Sequence, residues 1–222
     1  MATYKVVEKF ISINGEGTKA GQLAVFIRFA GCNLNCSYCD TAWANKENVP
    51  MTEMTEFEIY DYIKSTGVKN VTLTGGEPLL RDDVDKLLKL LSSDKSIKVE
   101  IETNGSIDLY DYRQISDNIS FTVDYKLPSS CMEHLMEMEN FEELEERDTV
   151  KFVVSDNNDL LRAKEIIDEY KLTGQCSVYL SPVFGKIDPQ EIVDFMIRNH
   201  LNGVNLQLQL HKIIWDPDKK GV

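Results

Sequence analysis

The chain has no stretch approaching the roughly 20 consecutive apolar residues that a bilayer-spanning helix requires. Met1 to Glu8 contain no basic segment leading into an apolar one, so neither secretion nor membrane attachment is expected and the reading is a soluble, cytoplasmic protein. Basic residues are also in short supply. Against 37 aspartates and glutamates stand 24 lysines and arginines, for a net charge of −13, and with no basic patch to override that field a nucleic-acid partner is not expected. No linker rich in proline, glycine and serine divides the 222 residues and no sequence repeat is visible, so residues 1–222 are expected to form one domain around one core. The densest acidic run, Glu133 to Asp148, lacks the glycine and the Asp/Asn spacing of a calcium loop and is expected to be a solvated helix face or a mobile loop.

What is present is a rhythm of short β-rich runs alternating with helical patterns from residue 25 onward, the signature of parallel βα units. Strands are expected at Val25–Phe29, Val71–Thr74, Ile97–Glu102, Phe121–Tyr125, Val150–Val154, Ser177–Leu180 and Val204–Leu210. Helices are expected at Thr55–Thr66, with Thr55 as N-cap and Gly67 as stop, and near Asp82–Leu91, Asn158–Tyr170 and Pro189–Asn199. Six or seven mostly parallel strands are too few for a full eight-stranded barrel, so the expected fold is α/β, an incomplete βα barrel open on one side. An open, doubly wound sheet remains the alternative, because strand count does not separate the two. In either case functional residues belong at the C-terminal ends of the strands.

Five cysteines are present, and three of them, Cys32, Cys36 and Cys39, fall within eight residues as C-x3-C-x2-C. Such crowding points to a metal site rather than a disulfide framework, leaving Cys131 and Cys176 as ordinary thiols. Three thiolates on one loop are one short of closing a tetrahedral zinc site or capping every iron of a cubane cluster. A zinc knuckle completed by His134, His200 or His211 is one alternative, although only one of the two cysteine spacings suits it. His134 and His200 otherwise have the look of surface residues.

The cysteine loop with Tyr38 before its last cysteine, followed after the next strand by Thr74-Gly75-Gly76-Glu77-Pro78, resembles the radical S-adenosylmethionine (SAM) superfamily. The resemblance implies a 4Fe-4S cluster on Cys32, Cys36 and Cys39, with SAM chelating the fourth iron. It further implies SAM contacts from Tyr38, Cys39 and Asp40, from Gly75, Gly76 and Glu77, and from the later strand ends: Thr103 and Asn104, Asp124 and Lys126, and Ser181-Pro182-Val183-Phe184. Two adjacent glycines also suit a plain strand-to-helix turn, and Lys126 a surface lysine.

Phe10-Ile11-Ser12-Ile13-Asn14-Gly15-Glu16-Gly17, then Phe26-Ile27-Arg28, Cys39-Asp40-Thr41 and Leu208-Gln209-Leu210-His211-Lys212 together resemble the 7-carboxy-7-deazaguanine synthase family over nearly the whole chain. Two positions depart from it: Asn14 stands where most members carry Gln, and Asp124-Tyr125-Lys126 stands where many have Ser-Pro-Lys. The resemblance implies a radical ring contraction of 6-carboxy-5,6,7,8-tetrahydropterin to 7-carboxy-7-deazaguanine with loss of ammonia. It implies substrate contacts at Ile13, Asn14, Gly15, Glu16, Arg28, Thr74 and His211, a Mg2+ ion on Thr41, a homodimer, and an external electron donor such as flavodoxin or ferredoxin. The chemistry of the side chains agrees: the planar fork of Arg28 suits a carboxylate, and Glu16 is an acceptor for ring N–H groups. Two other readings stay open at this point, a glycyl-radical-enzyme activating enzyme, which shares the cysteine spacing, and a non-catalytic zinc-binding protein.

Overall fold

The computed structural model describes residues 2–46 and 48–222; Met1 and Glu47 lie outside the described residues. A nine-stranded sheet organises the chain, in the order β3-β1-β2-β4-β5-β6-β7-β8-β9. It opens with β1 (Thr3–Ile13), β2 (Leu23–Phe29) and β3 (Thr52–Thr55), then alternates α1 (Glu56–Thr66), β4 (Asn70–Gly75), α2 (Val84–Ser93), β5 (Lys98–Thr103), α3 (Tyr110–Arg113) and β6 (Ile119–Tyr125). The second half runs β7 (Thr149–Val154), α4 (Asn157–Glu169), β8 (Ser177–Pro182), α5 (Pro189–Arg198), β9 (Val204–Leu206) and α6 (Leu210–Ile214). Strands β2 and β4 to β9 pair in parallel, whereas β1 is antiparallel to both β2 and β3.

The parallel strands alternate strictly between faces, and that alternation separates core from site. In register lie Ile27, Leu73 and Ile101, then Phe121, and on the following strands Val123, Val150 and Val178; all are buried in one apolar cluster with Ile59 and Ile63 of α1, Leu87 and Leu91 of α2, Ile166 of α4 and Ile192 of α5. The opposite face carries Arg28, Thr74, Glu102, Asp124 and Lys151. A doubly wound sheet would bury that face under helices as well, and a charged row would not survive there unpaired. The helices therefore cover one face, and the polar face is the lumen of an incomplete barrel.

Local chemistry sets the helix ends as expected. The Thr55 hydroxyl accepts from Glu58 N while the Glu58 carboxylate accepts from Thr55 N, a capping box worth about 1 kcal/mol, and Gly67 ends the helix with φ 70°. Asp156 and Asp188 cap α4 and α5 with their carboxylates, which accept from Asn158 N and Asp159 N and from Gln190 N, without the reciprocal bond.

Three expectations are corrected. The strand count rises to nine because β1 and β3 add an antiparallel flank. The strand expected over Val204–Leu210 stops at Leu206: Gln207 turns inward to accept from Gly17 N at 2.7 Å, Leu210 N donates to Gly15 O at 3.3 Å, and the chain passes into α6. The acidic run is neither a helix face nor a loose loop, because two 3-10 turns, Glu133–Leu135 and Met138–Glu142, bury Asn140, Phe141 and Leu144 against the barrel. Its last residue, Asp148, is fully buried, 2.8 Å from Arg113 Nη1 and accepting from Phe121 N and Glu145 N. No helix among the described residues is long and apolar enough to cross a membrane.

Candidate active site

A cavity of about 650 Å3 opens over the C-terminal ends of the parallel strands, and its wall joins the cysteine loop to the charged lumen. The cysteine loop leaves β2 through Gly31, at φ 82°, and is zipped to the glycine turn after β4: Gly76 N donates to Phe29 O at 3.2 Å and Glu77 N to Gly31 O at 3.0 Å. A Cβ on Gly76 would overlap the Gly31 carbonyl, so only glycine permits this approach. On its far side the loop rests on the segment after β6, with Ser37 N donating to Ser130 O at 3.1 Å and Ser37 Oγ to Ser129 O at 2.6 Å.

The donor set of this loop suits an iron–sulfur cluster. Cys32 Sγ accepts from Leu34 N at 3.4 Å and lies 3.5 Å from Asn104 Nδ2, the kind of N–H···S contact that stabilises a ligating thiolate. Burial raises the Cys36 thiol to about 11 and raises Cys39 as well, so both keep their protons until a metal displaces them. Among the described residues no three His, Cys, Asp or Glu side chains are gathered to hold one metal ion. Sulfurs sharing a tetrahedral zinc would stand about 3.8 Å apart; a cubane instead takes one thiolate to each of three separate irons. Asp124 Oδ1 and Asn45 Oδ1 are buried without a partner, and both residues line the cavity, which leaves polar atoms for a bound molecule.

Deeper in the cavity the charges are arranged in pairs. Arg28 Nε meets Glu8 Oε2 at 3.0 Å, Lys126 Nζ meets Asp124 Oδ2 at 2.6 Å, and Lys151 Nζ meets Glu16 Oε2 at 2.8 Å. Burial works against the charge of Lys151, but Glu16, Asp124 and Glu102 outweigh it and hold the ammonium above the ordinary lysine range. Burial raises the Glu102 carboxyl, with Lys151 pulling the other way. Burial also lowers His211 below the ordinary histidine range, keeping the imidazole neutral near pH 7.

A model of the Radical SAM superfamily matches residues 26–125. The 7-carboxy-7-deazaguanine synthase of Clostridium acetobutylicum is 61% identical over 219 residues, covering 99% of both chains, and that of Chlorobaculum tepidum is 38% identical over 231 residues, covering 100% of this chain and 98% of its own. This chain belongs to the 7-carboxy-7-deazaguanine synthase family. The crystal structure of QueE from Escherichia coli has the same fold, with a TM-score of 0.70 at 22% identity over 93% of this chain and 94% of that one. Membership in the synthase family sets aside both the activating-enzyme and the zinc-protein readings.

Most residues expected for a 7-carboxy-7-deazaguanine synthase come together on the cavity wall: Ile13, Gly15, Glu16, Arg28, Thr74 and His211 from the substrate set, with Cys32, Cys36, Tyr38, Cys39, Asp40, Thr41, Gly75, Gly76, Thr103, Asn104, Asp124, Lys126, Val183 and Phe184. Four do not. Asn14 is buried beneath the wall, its Nδ2 on Glu100 Oε2 at 3.4 Å and its Oδ1 accepting from Thr72 Oγ1 at 3.0 Å. Glu77 is also buried, and its carboxylate is used up by Leu79 N, Asn104 N and Thr103 Oγ1, so it ties the glycine turn to the end of β5 instead of facing the cavity. Ser181 and Pro182 are buried at the end of β8, with Ser181 Oγ donating to Glu16 Oε1 at 3.3 Å. His211 reaches the wall from α6, not from a strand, with its Nδ1 against Gly15.

Sequence reasoning missed Glu8, Glu102 and Lys151 on this wall. For Lys151 the signal was there: a lone charge in a parallel strand between apolar neighbours, as in Thr149-Val150-Lys151-Phe152, has only the lumen to face.

Proposed function

We propose that this chain contracts the ring of 6-carboxy-5,6,7,8-tetrahydropterin to 7-carboxy-7-deazaguanine with loss of ammonia, in 7-deazapurine biosynthesis. The observation that carries the reading is that one cavity joins the three-cysteine loop to Arg28 and Glu16. Cys32, Cys36 and Cys39 hold a 4Fe-4S cluster, and the chemistry it supplies when bound is the electron that splits SAM into methionine and a 5′-deoxyadenosyl radical. The share of the protein is positioning. Arg28 gives its Nε to Glu8 and so presents its remaining N–H groups to the substrate carboxylate. Glu16 accepts from the ring N–H groups. Asp124 Oδ1, buried and unpartnered, takes a SAM hydroxyl in place of the serine many relatives carry. Phe10 and Phe26, stacked with centroids 5.0 Å apart on the lumen side, keep water from the reacting centre.

A Mg2+ ion on Thr41 is part of the same reading. Thr41 lines the cavity, and its hydroxyl bonds Asp40 Oδ1 at 2.9 Å instead of capping the turn that follows; magnesium needs few protein ligands beside water and substrate oxygens. An external electron donor such as flavodoxin or ferredoxin, a homodimeric assembly and a cytoplasmic location complete the proposal, and the continuous sheet from Thr3 to Leu206 supports residues 1–222 acting as one domain. Anaerobic incubation of the reconstituted protein with SAM, reductant, Mg2+ and 6-carboxytetrahydropterin, read by mass spectrometry, is expected to yield the deazapurine carboxylate. SAM cleavage without that product would defeat the assignment of substrate.

A further inference from the structure

Among the charged groups on the cavity wall, Lys151 is a cation with no role in the expected contacts. Lys151 sits in the middle of β7, its side chain 14% exposed, with one N–H given to Glu16 at 2.8 Å. Building on the pterin reading, we infer that Lys151 is a specificity-determining residue that donates a hydrogen bond to the ring carbonyl of the substrate, beside Glu16 accepting from the adjacent ring N–H.

Three features support this. The other lumen cations already have work: Arg28 is shared between Glu8 and the substrate carboxylate, and Lys126 is clamped by Asp124 at 2.6 Å. Lys151 still has donors to give beside Glu16, because an ammonium has three N–H groups and Glu16 takes one. The pair is also assembled from distant parts of the chain, the loop after β1 and the centre of β7, 135 residues apart, and both partners line the cavity. A carboxylate and an ammonium side by side present an acceptor next to a donor. That is the complement of a 2-amino-4-oxopyrimidine edge, where ring N–H stands next to C=O. Finally, the surroundings hold the ammonium charged: Glu102 from β5 and Asp124 from β6 face it, with Ser181 of β8 and His211 of α6 around Glu16. A charged donor left unpaired in such a site is costly, which is what turns a contact into discrimination.

The test uses two unreactive probes, 6-carboxypterin and its 4-thioxo analogue, which keeps the ring N–H for Glu16 and puts sulfur, a much weaker hydrogen-bond acceptor, in place of the carbonyl oxygen. Binding is measured by calorimetry on the cluster-loaded, SAM-bound enzyme. Wild type is expected to prefer the oxo compound by roughly 10- to 100-fold, Lys151→Met to hold the two within about threefold, and Lys151→Arg, which keeps a charged donor, to retain most of the preference. A wild-type enzyme without preference, or the wild-type ratio persisting in Lys151→Met, overturns the inference. If circular dichroism shows that Lys151→Met does not fold, the double variant Glu16→Gln with Lys151→Met, which leaves no unpaired charge, is measured against the same two criteria. Turnover of 6-carboxytetrahydropterin by wild type is checked first: no product defeats the functional reading, whereas product with an unchanged ratio defeats only the role of Lys151.

Discussion

Gly76→Ala asks whether the glycine turn is built for close approach to the cysteine loop or is simply a tight bend. A Cβ at Gly76 would overlap the Gly31 carbonyl carbon and oxygen and stand 2.5 Å from Asn45 Oδ1. The Gly31 atoms are backbone, so no rotamer change relieves the clash and the two loops must separate. Overpacking of this kind costs roughly 1–3 kcal/mol, and separation breaks the 3.2 Å Gly76 N to Phe29 O and 3.0 Å Glu77 N to Gly31 O bonds, each worth about 0.5–1.5 kcal/mol. The sum is about 2–6 kcal/mol, which for a domain of this size lowers the midpoint of thermal unfolding by roughly 4–24 °C. Differential scanning calorimetry on the metal-free protein reads the stability, and equilibrium dialysis on the reconstituted protein reads SAM. Both are expected to fall together. A variant with wild-type Tm and wild-type SAM affinity would refute the reasoning, since no backbone adjustment small enough to be free of cost also clears the Gly31 carbonyl.

Other perturbations separate the parts of the site. Cys36→Ala is expected to lower bound iron and abolish 5′-deoxyadenosine formation, measured by iron assay and chromatography; wild-type deoxyadenosine production would contradict the ligand set. Arg28→Ala is expected to raise the KM for the pterin by roughly 10-fold or more, the worth of a charge-assisted bond, while uncoupled SAM cleavage persists; an unchanged KM would count against the carboxylate contact. Asp148→Ala leaves Arg113 as an uncompensated buried cation and strips the Phe121 and Glu145 amides of their acceptor, so chemical denaturation is expected to show a loss of about 3–5 kcal/mol; a loss below 1 kcal/mol would show that the pair contributes little.

The parallel strands were legible because each is a short apolar run bounded by a turn, and the helices because their caps and apolar spacing agree, as at Thr55, Glu58 and Gly67. Strand β1 was not, for a physical reason: its register shifts between Val6 and Glu8, so positions of one parity pack into the core at Tyr4 and Val6 but line the cavity at Glu8 and Phe10, and no single alternation marks the strand across the bulge. The end of β9 failed in the opposite sense. The alternation Leu206, Leu208, Leu210 is perfect in sequence, yet Gln207 and Leu210 bond the loop carrying Gly15 and Gly17, and a contact nearly 200 residues away in the chain overrides the local pattern. The cysteine loop and the glycine turn were readable as motifs. The tie of the glycine turn to the end of β5 through Glu77, and the Lys151–Glu16 pair, arise only when β4, β5, β7 and the loop after β1 meet in space.

The central claim is that three thiolates hold a cubane with one iron left open to a ligand from the pterin cavity. Electron paramagnetic resonance of the anaerobically reconstituted, reduced protein, recorded with and without SAM, tests it most directly. The account predicts a reduced 4Fe-4S signal whose g values shift when SAM is added and do not shift with S-adenosylhomocysteine lacking the sulfonium methyl at matched concentration to the same extent. A protein that takes up zinc in place of iron, or a cluster signal indifferent to SAM, would contradict it.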